Sequence, residues 1–545
     1  MSMETRTRSL TSGETSTFEA VSAVIVALAA VATVLGFAGL FMVIPATATV
    51  AGVQVATLVG GLLAALGLAI LAAGVLSAAE LIETSPSPTT GLVTGVSYGL
   101  LTLVVVGLVT SQTLGLSMLW PVLALVAAVG VAFGTAVARE DLGATVPAGV
   151  YLLFSGGLIA TGVIAPGFSW QPGGMSGTIT GVIAVPLLAV VGGLIAVWVS
   201  ARAYGGFGAR GRQNGAYALI GATVIAILSV LVMVVAFVVW KGFGPMTDGI
   251  QWGLYLDFYH YFHVHVPIWD KYVAVNGPKL WFYWPFVMEP YHPLGQAPNG
   301  ILPAIVGTVW LVLGAVVMAV PLGVGAAVFL TEYAEQGRFT QLVEVSTNGL
   351  WSTPSIVYGL FGLAFLVPRF GNQNSILAGQ IVLGSMLLPL VLITSRESLK
   401  SVPDDYRNAS AALGVGRWQT IKSVVVPAAM PGVITGVILG VGRIAGETAP
   451  ILLVTLGEPL PSSAPEVITG SFAFTGSFPF VTVPTIDLVQ SASALPLQLY
   501  TVISAGLSEN LSFAWGTALV LLLVVLSFYA VGIASRIYFR KKLHQ

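Results

Sequence analysis

Apolar runs of roughly twenty residues recur along almost the whole chain, and no other feature limits the fold as tightly. A run of that length crosses a hydrocarbon core of about 30 Å as a helix, which satisfies its own backbone hydrogen bonds where no water can. The short alternating segments of a membrane barrel are absent from the pattern. With 56% hydrophobic and 8% charged residues among 545, too little polar surface remains to cover a water-soluble globule. The expected fold class is an all-α polytopic membrane protein of about twelve transmembrane helices, near residues 19–45, 53–79, 90–111, 117–138, 145–167, 178–200, 216–241, 300–331, 342–367, 376–395, 428–456 and 513–537. The first run is too long for the core of a cleavable signal, so it reads as a retained helix. No cysteine is present, which removes disulfides, thiolate chemistry and cysteine-based metal sites.

Lysine and arginine set the expected orientation. Arg202, Arg210 and Arg212 share one short loop, Arg396, Lys400, Arg407, Arg417 and Lys422 share a second, and Arg536, Arg540, Lys541 and Lys542 follow the last span. With twelve spans these clusters, together with Arg6, Arg8 and Arg139, fall on one side, which the positive-inside rule makes cytoplasmic. The chain is thus expected in a cell membrane, crossing it many times, with both termini inside. The lipid bilayer is its first partner, and nothing in the charge pattern invites nucleic acid.

The loop 205–214 (GGFGARGRQN) is rich in glycine and charge and marks a boundary. Residues 1–205 hold six spans built from Ala, Val, Leu and Gly, which can pack through small residues but offer no chemistry for a charged solute. They read as an accessory region. Between about 242 and 299 lies an external segment dense in aromatics, expected as an ordered cap with Trp and Tyr at headgroup level. His260, His263 and His265 sit close enough there to raise a metal site, but their spacing fits no standard zinc pattern. A second external segment, about 457–512, reads as irregular with one short interfacial helix.

Chemistry gathers in the second half. The stretch LWSTPSIVYGLFG places Thr353 before Pro354, an N-cap and a first-turn proline, so a helix is expected to begin there. If that start lies inside the membrane, its free N–H groups face a cavity, as broken helices in transporters do; otherwise it is an ordinary interfacial helix start. Ser352, Thr353 and Ser355 are the candidates to line it. The loop 396–427 reads as two short helices. Ser401 with Asp404 suggests a capping box, Gly414 a stop, and Pro427 the end of the second helix. Tyr406, Leu413 and Trp418 then form apolar anchors on a projecting basic knob, a surface suited to a groove on another protein. Gly432, Gly436 and Gly440 give the next span a flat stripe, and Arg443 and Glu447, four apart, share one face. An arginine at mid-span costs about 3 kcal/mol to insert. Paired with Glu447, it either grips an oxyanion with its remaining donors or only locks helices together.

These residues carry a resemblance. The loop is similar to the EAA signature of binding-protein-dependent ABC importer permeases, whose pattern is Glu-Ala-Ala, three residues, Gly, nine residues, Ile, one residue, Leu, Pro. Here it reads Asn408, Ala409, Ser410, then Gly414, then Val424 to Pro427, so the contact made by the signature's Glu does not carry over. NGILPAIVGTVWLVL, FLTEYAEQGR, PSIVYGLFG, ALGVGRWQTI and above all GRIAGETAPILL resemble phosphate permeases of the PstA type, over roughly residues 213–545. The resemblance implies a type I, MetI-like permease fold for the last six spans, in a domain 206–545. It implies a substrate path at Arg443, Glu447, Thr448, Ser352, Thr353 and Ser355. It implies an ATPase-coupling loop at Tyr406, Arg407, Asn408, Ala409, Ser410, Leu413, Gly414, Arg417, Trp418 and Pro427. The partners implied are an ABC ATPase dimer, a second permease subunit of the PstC type, an extracellular phosphate-binding protein and inorganic phosphate. ATP and Mg belong to the ATPase: this chain contains no Gly-Lys dipeptide, hence no P-loop lysine, and no cofactor of its own is expected. A permease for sulfate or molybdate, or a non-transporting membrane scaffold, is the alternative.

Overall fold

The structure, a computed structural model, describes residues 17–116, 118–172, 176–266, 271–292, 299–335, 337–470, 473–474, 481–504 and 511–543, without the side chains of 254–279, 473–474, 481–482 and 542–543. Among these residues eleven helices are long and apolar enough to cross a membrane, and a pair bent by 100°, with the form of a broken span or a re-entrant loop, brings the number to at most twelve. Each falls on one of the expected spans. Two compact units result, Met1–Phe237 and Val238–Gln545.

In the first unit α1 (Thr17–Leu40), α2 (Val55–Ala78), α3 (Leu92–Leu108), α4 (Trp120–Val137), α5 (Glu140–Ala160) and α6 (Gly181–Tyr204) precede α7 (Gly208–Thr247). Helix α2 packs on α5, α1 on α6 and α3 on α4. Small residues make this possible. A Cβ on Gly67 would stand 2.9 Å from the Gly149 carbonyl oxygen, and one on Gly156 2.5 Å from the Ala64 nitrogen, so the α2 and α5 backbones touch. The unit also repeats one plan. A long helix, a hairpin of two-residue strands and a second long helix occur as α1, β1 (Thr49–Val50), β2 (Val53–Gln54), α2 and again as α5, β3 (Ser169–Trp170), β4 (Ile179–Thr180), α6. The crossed pairing of α1 with α6 and α2 with α5 is what a pseudo-two-fold arrangement of those halves requires.

The division between units falls inside the 40-residue α7, not in the glycine-rich loop 205–214. The reason is packing: Ala218 and Ala222 join the core of the first unit, whereas Val238 and Met246 join a cluster of the second.

The second unit opens with a long antiparallel hairpin, β5 (Gln251–Val266) with β6 (Lys271–Tyr283), paired from Gln251 opposite Tyr283 to Val266 opposite Lys271. Here the chain departs from an all-helical expectation, because a segment this rich in aromatic and β-branched residues favours the extended backbone. His260, His263 and His265 lie on β5, opposite Asn276, Ala274 and Tyr272, and their side chains lie outside the described residues. Then come α8 (Leu302–Val328, continued by a π-turn to Tyr333), α9 (Arg338–Ser352), α10 (Ser355–Phe361), α11 (Ile376–Lys400), α12 (Asp404–Ala412), α13 (Arg417–Thr420), α14 (Val426–Ala445), α15 (Ala449–Val454), α16 (Leu495–Ser504) and α17 (Ser512–Leu543). Helix α8 packs on α11 through Leu311, Ala315, Leu383, Leu387 and Val391. The glycine stripe of α14 meets α11 as expected: a Cβ on Gly432, Gly436 or Gly440 would collide with Ser398, Thr394 or Leu387. The short helix expected within 457–512 is α16, seated where the Leu495 N–H donates to Thr308 Oγ1 at 2.9 Å.

Candidate functional site

The candidate residues gather in two places, one before α14 and one at its far end. Before it stands the knob. Helix α12 starts at Asp404 behind Pro403, with Asp404 and Asp405 in the first turn where the helix dipole favours them. The expected capping box does not form. Ser401 closes α11 instead, its hydroxyl donating back to the Ser398 carbonyl. Gly414 does stop α12, with a φ of +74° that side-chain-bearing residues resist. Leu413 is 83% exposed, Trp418 60% and Tyr406 51%, so the three expected anchors stand on the surface of the chain. Asn408 and Ala409 are exposed beside them, and Ser410 is buried, its hydroxyl bonded to the Tyr406 carbonyl.

Pro427 does not end the second helix. Helix α13 runs through a π-turn, Ile421–Val425, straight into α14, and Pro427 sits in the first turn of α14. The wider i→i+5 ring of a π-turn accommodates the missing proline N–H without a break.

A residue absent from the expected set holds the knob down. Glu332, at the end of α8 and 8% exposed, accepts from Arg407 Nη2 at 2.7 Å and Nε at 3.4 Å. Arg407 also donates to the Val402 and Leu399 carbonyls and to Asp404. The bond to Glu332 is the main cause that raises the Arg407 pKa above its ordinary value. Arg417 donates to the Glu332 backbone carbonyl and lies over the Tyr333 ring, 5.1 Å from its centroid. One residue thus fastens both halves of the knob.

At the far end, α14 stops at Ala445, and Glu447 and Thr448 occupy a break before α15. Arg443 is in the last turn, where a cation complements the helix dipole, and not midway along an unbroken helix as expected. Its Nε stands 3.8 Å from Glu447 Oε1, too far for a hydrogen bond and loose for an ion pair. The tighter contact is with Trp351, whose ring centroid lies 4.2 Å from the guanidinium carbon. That contact was not foreseen, since Trp351 precedes Arg443 by most of a hundred residues of sequence. With 38% of its side chain exposed, the guanidinium keeps donors free.

Trp351 belongs to the second break. Helices α9 and α10 meet at 100° around Thr353 and Pro354. The helix does restart there, at Ser355, but Thr353 caps nothing ahead of it. Its hydroxyl donates backwards to the Gly349 carbonyl at 2.9 Å, and the Ser352 hydroxyl joins it at 3.0 Å. The Tyr358 hydroxyl reaches back likewise to the Leu350 carbonyl at 2.9 Å. These bonds close the end of α9 and leave the first turn of α10 without a capping side chain. Arg443 and Trp351 are joined directly. Among the described residues, no hydrogen bond joins Ser352, Thr353 or Ser355 to Arg443.

Residues 319–545 match the family described as binding-protein-dependent transport system inner membrane component. The chain is 33% identical over 245 residues to the probable ABC transporter permease protein YqgI of Bacillus subtilis, covering 44% of this chain and 80% of that protein. It is 36% identical over 230 residues to phosphate transport system permease protein PstA 1 of Mycobacterium tuberculosis, covering 42% and 68%. The chain belongs to the family of binding-protein-dependent transport system inner membrane components. As a member it is a multi-pass membrane component of such a system, of the permease kind, and its second unit contains the matched region with the knob and both breaks. The phosphate transport system permease protein PstA of Yersinia pestis is similar at 31% identity, over 46% of this chain and 76% of its own. Among solved structures, the MetNI methionine ABC transporter in an inward-facing conformation matches 44% of this chain and 94% of its own at 16% identity, with a TM-score of only 0.33. The first unit lies outside the family match.

Proposed function

We propose that this chain is the PstA-type permease subunit of an ATP-driven, binding-protein-dependent importer of inorganic phosphate. Arg443 carries the reading: a half-exposed guanidinium, held at a helix break by Trp351 and only loosely by Glu447, has donors left for an oxyanion. The names of the relatives in Mycobacterium tuberculosis and Yersinia pestis support phosphate as that oxyanion. Trp351 joins Arg443, Glu447 and Thr448 in the path.

The knob faces the cell interior in this reading, with both termini on its side, and receives an ABC ATPase that holds ATP and Mg. Leu413, Trp418 and Tyr406 enter the ATPase groove. From Val426 to Arg443, α14 spans about 25 Å at a rise of 1.5 Å per residue, so a push on the knob arrives at Arg443 along one continuous helix. A PstC-type sister permease supplies the other wall of the path, and an external phosphate-binding protein delivers the substrate.

The test is uptake in cells depleted of other phosphate importers. Arg443→Ala abolishes phosphate uptake and leaves the complex co-purifying intact. Unlabelled sulfate and molybdate at tenfold excess do not compete in the wild type, an outcome whose reverse moves the substrate to another oxyanion. Unchanged uptake in Arg443→Ala removes the path from this residue altogether.

A further inference from the structure

The first unit carries an open cavity of about 500 Å³ where the start of α3, the end of α6 and the start of α7 meet. Arg202 lines it, although only 2% exposed. Its Nη2 donates to Glu140 Oε1 at 2.7 Å and its Nη1 to Thr94 Oγ1 at 3.0 Å, its guanidinium carbon lies 5.6 Å from the Trp198 ring centroid, and its Nε is enclosed by the protein without a hydrogen-bond partner among the described residues. Arg212 stands at the rim, half exposed, donating through Nη1 to Ser87 Oγ at 2.7 Å and Glu140 Oε2 at 3.0 Å. Glu140 is heavily engaged: Oε2 also accepts the backbone N–H groups of Ser87 and Gly208, each at 3.0 Å. One carboxylate therefore answers two guanidiniums, and the cavity keeps a surplus positive charge. Arg139 and Asp141 pair with each other at 3.1 Å and leave that balance unchanged.

The same cavity receives the N-terminus of α3. Gly91 is the N-cap, at φ +92°, and offers no side chain to the free amides behind it. Gly91 to Thr94 all line the cavity, which therefore meets the positive end of a 17-residue helix. An uncapped helix start and two guanidiniums answered by one carboxylate are independent features, and both favour the same thing, an anion with several oxygens.

We propose that this cavity binds a phosphate-class oxyanion, supplied either by the headgroup of an anionic phospholipid or as free phosphate. Leu92 and Val93, 76% and 77% exposed, give an acyl chain an apolar wall next to the charged pocket. Such a site gives a purpose to the fully buried Glu140 and the almost fully buried Arg202 at one end of these spans. It assigns the first unit a ligand of its own, apart from the path at Arg443.

The full-length chain carrying Arg443→Ala, purified in detergent and stripped of lipid, tests this without interference from the path. Equilibrium dialysis with radiolabelled inorganic phosphate forms one arm. Native mass spectrometry after incubation with phosphatidylglycerol, with zwitterionic phosphatidylcholine as control, forms the other. Saturable binding is expected in one arm, weakened about tenfold by Arg212→Gln and by Thr89→Glu, the loss of one charge-assisted bond or the gain of one repulsion. Thr89→Glu places a carboxylate at the exposed rim and leaves the Arg202–Glu140 pair alone, so it decides the matter even if Arg212→Gln fails to fold. A phosphate signal assigns the free anion, and phosphatidylglycerol binding that phosphatidylcholine lacks assigns the headgroup. No saturable binding in either arm, or binding that Thr89→Glu leaves unchanged, overturns the site.

Discussion

Glu332→Gln tests the fastening of the knob with almost no change of shape. The amide keeps one acceptor for Arg407 but turns its other end, a donor, towards a guanidinium that has only donors. Hydrogen bonds to charged groups contribute about 1.5–3 kcal/mol each, and removing one member of a fully buried pair costs about 3–5 kcal/mol. Glu332 is 8% exposed, yet Arg407 is 23% exposed and keeps the Leu399 and Val402 carbonyls and Asp404. The loss should therefore be smaller, about 2 kcal/mol, which is roughly a 30-fold shift from docked to undocked knob. Helix α12 has nine residues, too few to persist once undocked. Amide hydrogen exchange over residues 404–415 of the purified full chain reads this directly: exchange there accelerates about 30-fold, while α8 and α11 stay protected. Arg407→Gln accelerates exchange more, because it also gives up the Leu399 and Val402 carbonyls and Asp404, and the double variant is little worse than Arg407→Gln alone. Exchange within twofold of wild type in Glu332→Gln, or additive effects in the double variant, refutes the clamp.

Two further substitutions probe glycines with opposite surroundings. Gly414→Val meets no atom within 4 Å, so its penalty is conformational, about 1–2 kcal/mol or more for a side chain in the left-handed region. It should speed exchange at residues 410–416 and lose any ATPase that co-purifies with the wild type; unaltered exchange contradicts the strain. Gly67→Leu instead forces apart α2 and α5, because the α5 backbone lies 2.9 Å from the added Cβ, at a cost of about 1–3 kcal/mol. Thermal unfolding of Gly67→Leu is expected to start several degrees lower than that of Gly61→Leu, where nothing lies within 4 Å, and equal midpoints would discard the close-packing account.

The spans were legible because hydropathy over about twenty residues is a strong signal that packing cannot reverse. Local hydroxyl chemistry was not. Thr353 and Ser401 both have the sequence neighbourhood of an N-cap, and both bond backwards, to Gly349 and Ser398, at the end of the preceding helix. A serine or threonine between two helices can serve either one, and sequence does not say which. Glu332 was missed for a different reason. It contacts Arg407 across 75 residues of sequence, and a carboxylate ending an apolar helix looks like an interfacial charge until its partner is placed. In the first unit, Arg139 and Arg202 served only to orient the loops. The structure buries Arg202 within α6 against Glu140, so the region read as lacking chemistry for a charged solute holds its own polar cluster.

The π-turn at Ile421–Val425 changes what the knob can transmit. Had Pro427 ended α13, the knob would have hung from α14 by a hinge, and motion at Trp418 would have dissipated there. Instead Arg417 to Ala445 is one 29-residue helical run that carries Trp418 near one end and Arg443 near the other. The knob's other half is fixed to α8, since Glu332 holds Arg407 through its side chain and Arg417 through its backbone. In the proposed mechanism a displacement of the knob thus reaches α8 through one residue, Glu332, and Arg443 through one continuous helix. Because α8 and α14 both pack on α11, those two routes bear on a shared neighbour, and the guanidinium sits where one of them ends.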